Sequence, residues 1–187
     1  LLGLLFIYFR VPDTRLTVSQ TEKGSLWNGL RTVLVFPPAL FAVLMGLTSG
    51  AGNEIVVVVF GAWLEDVFAL EVVVLGAVSI VIGLSEIGGE TLAAWLVDRL
   101  GKEKSIALGL LVNSMTVVLL PVMSKTLLGG LVWLFIFFIS FEFSMVSSLP
   151  LMSELYPHGR ATLIGVYIAS WTFGRALGAL AGPLLYA

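Results

Sequence analysis

The sequence contains no cysteine and a single histidine, His158. Disulfides, thiolate metal sites and cysteine nucleophiles are thereby excluded. Charge is also scarce: charged residues make up 12% of the chain, against roughly 25% in a soluble domain. No basic stripe or basic helix is present, so the chain offers no surface for nucleic acid. Neither His-x-x-x-His nor Gly-x-Ser-x-Gly occurs, which argues against an intramembrane enzyme. The methionines are scattered, and neither they nor His158, which falls in a loop, imply a cofactor or a metal. The chain opens Leu1-Leu2-Gly3-Leu4 without an initial Met or a basic leader, and is expected to be a fragment that begins in the last turns of a span.

In place of charge the chain has long apolar runs. It is 58% hydrophobic with a mean hydropathy of +1.05. The runs lack the short alternation of barrel strands, so the expected class is an all-α, polytopic helical membrane protein. At about 20 apolar residues per crossing, residues 1–9 are the end of one span. Full spans are expected near 32–62, 70–97, 105–123, 127–151 and 161–186. Residues 10–31 are polar and read as a cytoplasmic linker before a transmembrane bundle over 32–187.

Loop charge orients these spans. Arg10, Arg15, Lys23, Arg31, Arg99, Lys102, Lys104 and Arg160 fall on one side, and only Lys125 falls on the other. That bias makes the first side cytoplasmic. A multi-pass protein of a plasma membrane, such as a bacterial inner membrane, is expected. In the 32–62 span, Pro37-Pro38 and Gly46, Gly50 and Gly52 precede Asn53-Glu54. Either the helix is interrupted and lines a path, or it is kinked and projects beyond the bilayer. Trp27, Trp63 and Trp95 suit an interfacial belt or packing within the bundle.

Three motifs carry a family resemblance. Ala94-Trp95-Leu96-Val97-Asp98-Arg99-Leu100-Gly101-Lys102-Glu103-Lys104 resembles the cytoplasmic Gly-x-Leu-Ala-Asp-Arg-x-Gly-Arg-Arg turn of the major facilitator superfamily. Asp98, Arg99, Gly101 and Lys102 match it, whereas Ala94 and Glu103 depart from it. The chemistry is legible without the family: Gly101 permits a tight turn, while Arg99, Lys102 and Lys104 can pair with Asp98 and cap helix ends. Glu154-Leu155-Tyr156-Pro157-His158-Gly159-Arg160 is loosely similar to the family's Glu-x-x-Pro-x-x-x-Arg loop. Gly165, Gly174, Gly178 and Gly182-Pro183 resemble its glycine-rich antiporter motif. The last pattern reads equally as small residues that let helices pack closely, and packing is favoured. The resemblance covers nearly the whole chain, as the end of the sixth helix, the central linker and helices seven to eleven. It implies a six-helix C-terminal half bundle whose N-terminal partner half and twelfth helix lie elsewhere.

Ionisable residues inside spans are costly, and Glu54, Glu86, Glu90, Glu142 and Arg175 are therefore candidate functional groups. Glu86 and Glu90, one helical turn apart, favour exchangeable protons, although Glu90 lies near enough to the cytoplasmic end to meet water. Counted from the cytoplasmic boundary, Arg175 lies about 13 residues deep, Glu86 about 12 and Glu142 about 9, which makes either acid a partner for Arg175. Asn113 and Ser114 are expected to hydrogen bond between helices. Asn53, Glu54 and Glu142 are assigned to a substrate path, Glu86, Glu90 and Arg175 to coupling or gating, and Asp98 with Arg99 to a cytoplasmic latch.

Together these expectations describe a secondary active transporter that exports a small organic solute in exchange for protons by alternating access. Its partners are the solute, protons and the lipid bilayer. The alternative is a membrane-embedded sensor or assembly factor on the same scaffold.

Overall fold

The computed structural model describes residues 31, 35–68 and 72–186, and is all-α, with no strand among the described residues. The expected span end at 1–9 and all of the 10–31 linker except Arg31 lie outside the described residues. Five helices follow one another: α1 Pro37–Phe68, α2 Val72–Leu100, α3 Lys102–Met123, α4 Leu127–Leu155 and α5 Arg160–Tyr186, with a 3-10 turn at Pro157–Gly159 before α5. All five contain a stretch long and apolar enough to cross a membrane. The helices outrun the expected spans because backbone hydrogen bonding continues past the last apolar residue. Lys102, Glu103 and Lys104 are thus the first turn of α3 and Glu154 is in the last turn of α4, outside the apolar runs but inside helices.

The first of these helices corrects one expectation. Pro37-Pro38 opens α1 rather than interrupting it, where proline costs no helical hydrogen bond. The Phe36 carbonyl accepts from Ala39 N and Leu40 N at 3.0 and 3.1 Å. From there α1 runs unbroken for 32 residues, about 48 Å at 1.5 Å per residue, longer than the roughly 30 Å hydrocarbon core. Its glycines serve a packing seam. Gly174 and Gly178 of α5 lie against the Leu47 and Ala51 carbonyls of α1, Gly50 of α1 lies against Trp171, and Gly182 lies against Val58. At Gly50, Gly174 and Gly178 the backbones are close enough to leave no volume for a side chain, and close approach of this kind is how helices associate where no hydrophobic effect separates helix from lipid. Gly165 takes no part, since nothing stands within 4 Å of where its Cβ would be, and Pro183 is exposed within α5.

At the centre lies α4, with its four buried serines Ser140, Ser144, Ser147 and Ser148 on packed faces. It packs against α2 through Ala93, Val97 and Phe143, and against α1 through Leu134, Phe137 and Phe138 with Val56, Val57 and Phe60. Towards α3, Asn113 Nδ2 donates to the Phe137 carbonyl at 2.9 Å and Trp133 Nε1 donates to the Thr116 carbonyl at 2.9 Å. Asn113 thus bonds between helices, while Ser114 is exposed. Tyr167 of α5 is fully buried, with its hydroxyl 2.9 Å from Ser148 Oγ and donating to Met145 Sδ at 3.3 Å. Helix α1 packs most closely on α5, and α4 packs on both α3 and α2.

Candidate functional site

The ionisable side chains inside the helices gather at one level. Glu54, Glu86, Glu142 and Arg175 stand roughly 13 to 17 residues from the helix ends expected to be cytoplasmic, or about 20 to 25 Å. They divide between the two helix pairs. On the α1–α5 pair, Arg175 Nε donates to Glu54 Oε2 at 2.6 Å, and the guanidinium carbon lies 5.5 Å from the centre of the Trp171 ring. The pair forms beside the close seam: Gly178, one turn beyond Arg175, would place a Cβ 2.9 Å from Glu54 Cβ. The expectation that Arg175 pairs with Glu86 or Glu142 is corrected: depth along the helices fits all three acids, but the direction in which each side chain points selects Glu54.

Glu142, Glu86 and Glu90 form the second group, on the α2–α4 pair. Gly88 and Gly89 bring α2 onto Ile139 and Glu142 of α4; a Cβ on Gly89 would stand 2.6 Å from Glu142 Cβ. Glu86 and Glu90 flank that contact, exposed, and their charges act on the half-buried Glu142. Among the described residues none of these three carboxylates has a basic partner within ion-pair distance.

The outer faces of α2 and α5 sort by chemistry. On α5, exposed Phe173, Leu177, Leu180 and Leu184 form an apolar stripe. Gly165, Thr172 and Ala176, also exposed, form a separate stripe of small residues. At 100° per residue, Arg175 lies between the α1 seam and the small stripe, away from the leucines. On α2, Glu86 and Glu90 likewise lie beside the seam residues Ser85, Gly89 and Ala93, while exposed Leu84 and Trp95 lie on the far side.

Asn53 and Glu54 part company despite adjacency. Asn53 instead lines a cavity of about 480 Å³ between α1 and α3, together with Thr48, Asn113, Ser114 and Phe137. It is 8% exposed, and its Oδ1 is buried with no hydrogen-bond partner among the described residues.

At the end of the bundle expected to be cytoplasmic, the two charged motifs meet. Lys102 Nζ forms an ion pair with Glu154, so the turn after α2 is tied to the end of α4. Arg99 lies over the Trp95 ring, 4.4 Å from its centre. Asp98 has no ion pair among the described residues, so the expected pairing of the basic cluster with Asp98 is replaced by the Lys102–Glu154 link. Gly101 is the single residue between α2 and α3, at φ 87° and ψ 147°, a conformation that glycine alone adopts without strain. Its N–H donates to the Val97 carbonyl at 2.9 Å and its carbonyl accepts from Ser105 N at 3.0 Å.

The family model described as Major Facilitator Superfamily matches residues 1–186. No curated protein and no solved structure matches the chain. With the match extending over nearly every residue, and with the helical bundle it calls for in place, the chain belongs to the major facilitator superfamily of multi-pass membrane transporters.

Proposed function

We propose that this chain forms the C-terminal half of a proton-coupled exporter of a small organic solute, working by alternating access against an N-terminal half of the same polypeptide. The observation that carries the reading is the placement of Glu86, Glu90 and Glu142 at one edge of the helix bundle and Arg175 with Glu54 at another, all beside packed seams rather than on the leucine-rich faces. Ions are tolerated at such depth where they face water or a partner. The acidic group is the proton carrier: solute binding and proton uptake alternate as its carboxylates gain and lose charge. Glu54 and Glu142 border the solute path, and Arg175 gates it. The Lys102–Glu154 link, with Asp98 and Arg99 beside it, closes the cytoplasmic side. Positive-inside charge supports a cytoplasmic position for that side, and the reading takes the membrane to be a plasma membrane.

The test is export by the full-length protein in everted membrane vesicles. Adding a transported solute to vesicles acidified inside should release protons, read as recovery of a pH-sensitive dye. Glu86→Gln, Glu90→Gln and Glu142→Gln should each reduce that recovery while leaving the protein folded. Solute movement that is unaffected by collapsing the pH gradient would overturn the coupling, and absence of any solute movement across a broad panel would overturn the transport reading.

A further inference from the structure

We infer that Arg175 is the docking point for a carboxylate, or a planar oxyanion of the same two-oxygen shape, on the transported solute. The inference rests on the transport reading and adds a substrate class to it. A guanidinium offers two forked edges: one formed by Nε and a terminal nitrogen, the other by the two terminal nitrogens. Glu54 takes the first through Nε. The terminal nitrogens make no hydrogen bond among the described residues, and the Arg175 side chain is 44% exposed against 15% for Glu54. The acid is therefore sunk in the α1–α5 seam and holds the base with its second edge outward.

Two further features aim that edge. The Trp171 ring lies 5.5 Å from the guanidinium carbon, close enough for a cation–π contact that fixes its tilt. Thr172 and Ala176, exposed on the neighbouring strip of α5, leave the space before the edge clear of bulky side chains. Two parallel N–H donors match a carboxylate bidentately, which a lysine would not do. Glu54 neutralises the arginine when the site is empty, and the solute oxygens engage the end that Glu54 leaves open. The three remaining acids belong to the α2–α4 pair, and none of them is within ion-pair distance of Arg175 among the described residues.

Phenylglyoxal attacks the terminal nitrogens of arginine and so reports the same edge. Full-length protein in membranes is labelled, and modification of Arg175 is followed by peptide mass spectrometry with acetate, acetamide or methylammonium present. Arg175 should be labelled without additive, and acetate at roughly 100 mM should slow the labelling about threefold, with acetamide and methylammonium inert. Failure of Arg175 to react without additive, indifference to acetate, or equal protection by methylammonium would each overturn the assignment. No solute movement is measured, so a failed assignment is distinguishable from a failed transport reading.

Discussion

Arg175 donates its Nε–H to Glu54 across the α1–α5 seam at 2.6 Å, and does so with the acid more deeply covered than the base. The partly exposed arginine places the strength of the pair between the roughly 1 kcal/mol of a surface contact and the roughly 3–5 kcal/mol lost on removing one member of a buried pair. Arg175→Gln and Glu54→Gln should each lower the melting temperature of the purified protein. The double variant should lose less than the two single losses together, since neither charge is then left alone. Strict additivity in thermal-shift measurements would show that the pair contributes nothing.

The glycines of α5 should respond by position. Gly174→Ala and Gly178→Ala force a methyl against the Leu47 and Ala51 carbonyls and should cost about 1–3 kcal/mol by overpacking. Gly165→Ala meets nothing within 4 Å and should be neutral, or stabilising by up to about 1 kcal/mol through its better helix propensity. Similar losses for all three, read by size-exclusion recovery after heating, would contradict the seam.

Tyr167→Phe keeps the ring and removes only the hydroxyl that meets Ser148 and Met145. Its expected cost is about 1 kcal/mol. Ser148 retains its bond to the Met145 carbonyl at 2.6 Å, so no buried hydroxyl is orphaned on α4. A loss no larger than that of an exposed control such as Thr172→Val would refute the role given to this contact.

Single cysteines at positions 101 and 66 should label from opposite sides of the membrane in intact cells. Asp66, near the end of α1, is expected outside and Gly101 inside, as α2 separates them by one crossing. Labelling of both by an impermeant maleimide would refute the orientation.

How much of this was legible beforehand depends on what a linear reading measures. Five spans follow from five apolar runs, and the glycine joint at Gly101 follows from charges that cannot enter hydrocarbon. Depth also follows, because residues can be counted from a charged end. Azimuth does not. Arg175 and three acids share a level, and only the register of α5 against α1, set by Gly174 and Gly178, picks Glu54. The spacing from Arg175 to Gly178 was a usable signal, since a glycine one turn beyond an arginine marks a face pressed against another backbone. In the same way Pro37-Pro38 reads as a break until the helix is seen to begin there. The meeting of Lys102 with Glu154 joins motifs 52 positions apart, which sequence spacing alone does not announce.

Because Gly101 alone separates α2 from α3, the two rods have no slack between them. Were α2 to lean during a working cycle, its far end would drag the root of α3 along, and Lys102, at that root, would pull on Glu154. In the proposed transport cycle, a lone pivot would tie rocking of the acid-bearing rod to opening or sealing of the inner rim.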